Sequence, residues 1–114
     1  MKPTIQIIGT QKDAATRRAI RFFKERGVGV HIVDLNERRL ERRELENIAR
    51  GRAAIDLIDR EGAEYRRKGL EYMEFDPIEE LLDNPLFLKI PVVRNGSEST
   101  IGEEIDRWKQ WLAG

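Results

Sequence analysis

The first 34 residues carry a strand–helix–strand pattern that restricts the fold more than any other part of the chain. Residues 4–8 and 28–34 are apolar, largely β-branched runs of the kind that forms buried strands. Between them apolar side chains recur at helical spacing, and Gly27 ends the predicted helix. The side chains on this face are Ala15, Ala19, Phe22 and Phe23. This order predicts a βαβ unit with two parallel strands.

Composition narrows the class of protein. A chain of 114 residues with 39% hydrophobic residues predicts one domain with a small core. The 21 basic and 21 acidic residues balance, so neither nucleic acid nor an anionic membrane is expected as a direct partner. No apolar run is long enough for a transmembrane helix, and Met-Lys-Pro leads into a strand without a signal-peptide pattern, which predicts a cytoplasmic protein. The absence of cysteine excludes disulfides and thiolate metal sites.

The middle of the chain predicts helices. A helix over residues 37–50 turns three apolar side chains inward, and a charged helical stretch ends at Lys68 before Gly69. The inward side chains are Leu45, Ile48 and Ala49. Asp76 as N-cap and Pro77 in the first turn open another helix.

The last 25 residues predict a hairpin and a helix. Residues 90–94 form a strand, Asn95-Gly96 favours a type I′ turn, and residues 99–101 return as a second strand. A final helix begins at Gly102. Its predicted apolar face consists of Ile105, Trp108 and Leu112. The whole order is βαβ, a helical insertion, then ββα.

These elements and residues together resemble the arsenate reductase (ArsC) family of the thioredoxin superfamily, including its Spx-like relatives. The stretches that carry the resemblance are residues 5–13, 16–19, 64–66, 79–82, 84–86, 90–96, 101–102 and 108–112. They cover nearly the whole chain in the family's order. The resemblance implies a single thioredoxin-like α/β domain over residues 1–114, with a four-stranded mixed sheet and a helical insertion at about 37–88.

The resemblance places an unusual residue at the family's reactive position. In the family a nucleophilic cysteine at the start of the first helix attacks a bound oxyanion, and redox relatives often carry a second cysteine three residues later. These positions correspond to Asp13 and Thr16 in this chain. No catalytic residue is therefore assigned, and thiol chemistry by this chain's own residues is excluded.

The resemblance also implies a binding groove around the first turn and the third strand. The candidate residues are Thr10, Gln11, Lys12, Asp13, Arg17, Arg60, Ile90 and Pro91. Pro91 matches the proline that is cis in thioredoxin-like folds, and Ile90 stands where the family usually has a basic residue. Arg60 and either Arg66 or Arg67 correspond to basic residues of the family's insertion.

Asp13 has two compatible interpretations. Aspartate is among the best N-cap residues, so it can simply stabilise the helix. Its carboxylate can also fill the anion site itself. The free amide groups of a helix N-terminus donate hydrogen bonds to a side-chain carboxylate as readily as to a bound oxyanion. If Thr10 were the cap instead, in a Thr-x-x-Asp capping box, Asp13 would lie in the first turn. Direct catalysis by Asp13 is disfavoured because no histidine lies near it in sequence.

Other polar and aromatic residues have ordinary structural interpretations. Arg17 and Arg18 are either remnants of an oxyanion site or exposed, solvated side chains. His31, the single histidine, is expected to be half-buried in its strand, and no metal site is expected. Trp108 is expected in the core and Trp111 at its edge. A basic ridge interleaved with glutamates favours a solvated face over a phosphate-binding patch; it consists of Arg38, Arg39, Arg42 and Arg43.

Two functions follow from the resemblance. One is a non-catalytic binding or regulatory module that contacts a partner protein, as Spx-like relatives do. The other is a glutathione-dependent oxidoreductase of the arsenate reductase or glutaredoxin type that takes its thiol from glutathione, bound near Pro91 and residues 9–13. No other cofactor is expected.

Overall fold

The computed structural model describes residues 4–113. The predicted start, with Met-Lys-Pro leading into a strand, lies outside the described residues. Internal contacts divide the chain into two compact units, Met1–Arg38 with Ile90–Gly114, and Arg39–Lys89. The first unit contains the sheet, and the second is helical and falls where the insertion at about 37–88 is predicted.

The first unit is an α/β structure built on one mixed sheet, as predicted. Its elements are β1 (Ile5–Gly9), α1 (Ala14–Glu25), β2 (Val30–Asp34), β3 (Val92–Asn95), β4 (Glu98–Ile101) and a C-terminal helix, α5 (Ile105–Ala113). The strand order is β2-β1-β3-β4. β1 pairs parallel with β2 and antiparallel with β3, and β3 and β4 form an antiparallel hairpin.

One face of this sheet packs on α1 and α5. Ile5, Ile7 and Val93 point to this face and join Phe23 and Trp108 in one buried cluster. The rings of Phe23 and Trp108 lie 5.5 Å apart between centroids, a distance typical of favourable aromatic pairs. The predicted core positions Ala19, Phe23 and Trp108 are confirmed, and Phe22 packs against the cluster. Ala15 is only half-buried and lies outside the cluster. Trp111 is half-buried at the edge of the cluster, also as predicted.

The predicted apolar face of the last helix is wrong at one position. Ile105 opens α5 and is 42% exposed, whereas Trp108 is 1% exposed. The helix starts three residues after Gly102, and Ile105 is its first residue. A terminal residue can share a helical face with core residues and still extend past the core.

The hairpin turn also differs from its prediction. Asn95 pairs with Glu98, so the two central residues are Gly96 and Ser97 rather than Asn95 and Gly96. Gly96 has φ of 60°, and no described residue other than glycine has positive φ. Positive φ at the first central residue alone is the pattern of a type II′ turn, which favours glycine there.

His31 is exposed, so the expectation of a half-buried histidine is wrong. β2 lies at an edge of the sheet, and its neighbour Ile32 is 39% exposed. An edge strand has only one sheet neighbour, so its side chains receive less cover than those of a central strand. Strand order is a non-local property, which the β-branched run of β2 does not contain.

The second unit contains three short α-helices, α2 (Arg42–Ala49), α3 (Ala63–Lys68) and α4 (Pro77–Asp83), and three 3₁₀ helices. α2 begins five residues later than predicted, because Glu41 is its N-cap and forms a capping box with Glu44. Leu45 and Ile48 are buried as predicted, and Ala49 is half-buried. Asp76 caps α4 as predicted, accepting hydrogen bonds from the backbone amides of Ile78 and Glu79.

The basic ridge is largely engaged by the protein's own acceptors. Arg42 forms an ion pair with Glu79 of α4. Arg39 precedes α2, and its Nη1 donates to the carbonyl oxygens of Leu82 and Asp83 at 3.3 and 3.4 Å. These partners favour a structural role over a phosphate-binding patch.

Candidate functional site

The first candidate residues lie at one end of the sheet, where the central strand β1 ends. Gly9, the last residue of β1, pairs with Asp34 of β2. Ile8 pairs with Val92 in the antiparallel register, so Gly9 lies beside Pro91. The Ile90–Pro91 peptide bond is cis, as the resemblance implies. The sheet therefore brings the turn over residues 10–13 to the same end of the sheet as the cis-proline.

Asp13 caps the helix that follows this turn. Its Oδ2 accepts a hydrogen bond from the backbone amide of Thr16 at 2.8 Å and another from the Thr16 hydroxyl at 2.7 Å. Thr10 is not the cap; its carbonyl instead accepts from the Asp13 amide at 3.2 Å, which closes the turn. The interpretation of Thr10 as N-cap is wrong because the Asp13 carboxylate has already satisfied the third-position amide of α1.

Thr16 is the structural partner that the sequence pattern did not identify. It is 1% exposed and packs directly over Gly9. A Cβ added to Gly9 would lie 2.3 Å from Thr16 Oγ1 and 2.7 Å from its Cγ2. The end of β1 and the start of α1 thus pack together through Gly9, Thr16 and Asp13. The Asp-x-x-Thr spacing is the sequence pattern that corresponds to this contact.

The other candidate residues at or near the turn lie close to the surface. Gln11, Lys12 and Arg17 are all exposed. Arg17 Nη1 donates to the carbonyl oxygen of Gln11 at 2.8 Å, so this guanidinium braces the turn. Ile90 is half-buried and brings an apolar side chain to the site.

Arg18 belongs to an ion pair rather than to an open anion site. Its Nε and Nη2 donate to the two carboxylate oxygens of Glu103 at 2.8 and 2.7 Å, a bidentate geometry that joins α1 to the loop before α5. The hydrogen bond to Arg18 holds the pKa of Glu103 below its usual value, and Glu103 raises the pKa of Arg18.

The Arg18–Glu103 pair predicts a pH dependence of stability. Because the pKa of Glu103 is lower in the folded chain, the pair stabilises the folded state above the ordinary carboxyl pKa of 4.5 and loses this effect as pH falls below it. Glu103→Gln should therefore be less stable than the parent at pH 7 by a small margin that becomes smaller at pH 3. Urea unfolding at both pH values measures the difference; a margin unchanged by pH would contradict this role of the pair.

Arg60 belongs to the second unit. Its Nη2 lies 3.4 Å from Asp56 Oδ1, and both side chains line a cleft of about 560 Å³ together with Ile58, Asp59, Glu61 and Lys89. Arg66 and Arg67 lie on α3, where Arg67 pairs with Glu64 at 3.0 Å. The implied basic residues of the insertion therefore have local acidic partners at Arg60 and Arg67.

Residues 4–113 contain no candidate for two other kinds of site. None of these residues forms a group of three or more histidine or carboxylate side chains placed to hold a metal ion. Among the same residues, every helix is too short or too polar to cross a membrane.

Comparison with known proteins identifies the fold. No protein-family model and no curated protein sequence matches this chain. Among solved structures, a protein named YFFB superposes with a TM-score of 0.86 at 20% identity, covering 95% of this chain and 98% of that one. An arsenate reductase from Vibrio cholerae gives 0.84 at 12% identity, covering 98% and 100%. An ArsC family related protein from Bacteroides fragilis gives 0.82 at 16% identity, covering 97% and 98%.

These similarities confirm the architecture that the resemblance implies. The chain has the fold of arsenate reductase-related proteins, with a thioredoxin-like mixed sheet, over nearly its full length. It has no cysteine. At identities of 12–20% the likeness establishes a shared fold.

Proposed function

We propose that this protein is a non-catalytic binding or regulatory module with the fold of arsenate reductases. The observation that carries the proposal is the Asp13 carboxylate, whose Oδ2 accepts both the amide and the hydroxyl of Thr16 at the start of α1. Two donors that would otherwise be available to a thiolate or a bound oxyanion are used by the chain's own anion. A protein partner and a cytoplasmic location are parts of this proposal.

Charge at the site supports the loss of oxyanion chemistry. A carboxylate and a second anion 4 Å apart repel by about 1 kcal/mol in water and about 4 kcal/mol at an effective dielectric constant of 20. Asp13 is half-buried, so its repulsion of arsenate falls between these limits. Ile90 offers no positive charge to compensate, and Arg17 already donates to Gln11.

A coupled assay tests the proposal. The protein is incubated with arsenate, glutathione and glutaredoxin, and NADPH consumption is followed through glutathione reductase. We expect a rate equal to the protein-free blank, because this chain has no thiol to form the covalent intermediate and its anion site is filled. A cysteine-containing arsenate reductase in parallel verifies the coupling enzymes.

Turnover above the blank would contradict the proposal and support the glutathione-dependent alternative. The Asp13→Ala variant shows whether such turnover takes place near residues 9–13 or elsewhere on the chain. If a bound glutathione supplied the thiol near residues 9–13, removing the carboxylate should raise the rate by relieving repulsion. A rate that Asp13→Ala leaves unchanged would place any activity elsewhere on the chain.

A further inference from the structure

A polar row crosses the sheet on the face opposite the α1–α5 cluster. Gln6 of β1 pairs with His31 of β2 on one side and with Arg94 of β3 on the other, and Arg94 pairs with Ser99 of β4. Residues paired across neighbouring strands point to the same face. The adjacent row on this face is apolar and contains the buried side chains of Ile8, Val33 and Val92.

Arg94 is the unsatisfied group in this row. Its Nε is buried and has no hydrogen-bond partner among residues 4–113, and its Nη1 reaches Gln6 Oε1 only at 3.5 Å. Of the described residues of the four strands, none places a carboxylate on this face; Asp34 and Glu98 belong to the other face. By contrast, Arg18 and Arg107 of the same unit each pair with a glutamate at 2.7 Å. A half-buried guanidinium without an anion is costly beside apolar side chains.

Gln6 links Arg94 to His31. The Gln6 side chain lies between them, with Oε1 near Arg94 Nη1 and Nε2 3.4 Å from His31 Nδ1. His31 is exposed, so the row is open to solvent at the edge strand. A guanidinium, an amide and an imidazole in line present hydrogen-bond donors to a planar anionic group.

We propose that Arg94, Gln6 and His31 form a binding site for a carboxylate group on the face of the sheet opposite α1 and α5. Because Nε is enclosed, the carboxylate reaches the guanidinium through its terminal nitrogens, and the Gln6 amide and the His31 ring complete the contact. The site is separate from the Asp13 turn and does not depend on the function proposed above. The bound carboxylate would neutralise Arg94, which has the one described guanidinium with a buried, unpartnered nitrogen.

NMR titration tests the site. The side-chain Nε–H signal of Arg94 and the ring signals of His31 are followed in acetate and, separately, in inorganic phosphate, with chloride at matched ionic strength as reference. We expect saturable shifts of both residues with acetate, weaker ones with phosphate, and none with chloride. Shifts equal in acetate and chloride would overturn the proposal, and a clear preference for phosphate would overturn its carboxylate specificity.

Two variants of equal charge change provide the control. Arg94→Met should weaken acetate binding by about tenfold or more, since hydrogen bonds to charged groups are the strong ones. Arg21→Met removes an exposed arginine of α1 and should leave the affinity unchanged. Because Arg94 has little to lose in the folded chain, Arg94→Met should keep its unfolding temperature within about 4 °C of the parent. Equal acetate affinity of the parent, Arg94→Met and Arg21→Met would refute the assignment of Arg94 to the site.

The Gln6→Leu variant keeps the test informative if Arg94→Met unfolds. It retains the guanidinium and removes the amide that links it to His31. Acetate should then still shift Arg94 but should shift His31 at least about threefold less. A His31 response that is unchanged in Gln6→Leu would show that the imidazole is not coupled to Arg94 and would contradict the three-residue site.

Discussion

Trp108→Ala should lower the free energy of unfolding by about 3–5 kcal/mol, the usual cost of truncating a large buried aromatic side chain. Trp108 is 1% exposed and packs against the rings of Phe22 and Phe23, each 5.5 Å away between centroids. Its Nε1 also donates to Thr100 Oγ1 at 2.8 Å, so the truncation removes a buried hydrogen bond along with the packing. Small domains have about 5–15 kcal/mol of total stability, and the loss is a large share of it.

Urea unfolding followed by circular dichroism measures this effect, with Trp111→Ala as the matched control. Trp111 lies on the same helix but is half-buried, and its Nε1 has no hydrogen-bond partner in the described part of the chain, so its truncation should cost clearly less. Equal costs for the two tryptophans, or a cost below about 1 kcal/mol for Trp108, would contradict the described core.

Gly9→Ala should destabilise the protein by about 1–3 kcal/mol or more through overpacking. The added methyl group would lie 2.3 Å from Thr16 Oγ1, and Thr16 cannot turn away without losing its hydrogen bond to Asp13. The substitution therefore damages both the strand end and the helix cap. Gly29→Ala is the control, because no described atom lies within 4 Å of its added Cβ. It should be neutral or slightly stabilising.

A double-mutant cycle with Thr16→Ala identifies the cause of the Gly9→Ala effect. Removing the hydroxyl and methyl groups of Thr16 makes room for the new side chain, so the double variant should lose less stability than the sum of the two single ones, with a coupling energy of about 0.5–3 kcal/mol. Additive losses, or equal costs at Gly9 and Gly29, would contradict the close packing of Thr16 against Gly9.

The features that could be predicted from sequence are those set by local chemistry. The apolar periodicity of α1 and the N-caps Asp13 and Asp76 depend on residues within a few positions of each other. The parallel pairing of β1 and β2 also follows locally, because a helix joins them. The exposure of His31 and the turn at Gly96 instead depend on which strands become neighbours and in what register, which local patterns do not specify.

In the candidate site, too, the local features could be predicted from sequence and the non-local contacts could not. The position of Asp13 at the helix start was predictable, because aspartate in that context favours the cap. The burial of Thr16 against Gly9 was not, since it requires the turn to fold back over the end of β1. Arg18 and Glu103 lie 85 residues apart in sequence, and no local pattern pairs them.

The titration of a thiol placed at residue 13 tests the central claim most directly: that the start of α1 stabilises an anion and that the Asp13 carboxylate now fills this position. The chain has no cysteine, so Asp13→Cys contains a single thiol whose ionisation can be followed by ultraviolet absorbance. Ser97→Cys, in the exposed hairpin turn, is the reference and should titrate near the free value of about 8.5. The account predicts a pKa for the Asp13→Cys thiol of about 7.5 or lower, because the Thr16 amide and hydroxyl would donate to the thiolate. A thiol at residue 13 that titrates with the Ser97→Cys reference would contradict it.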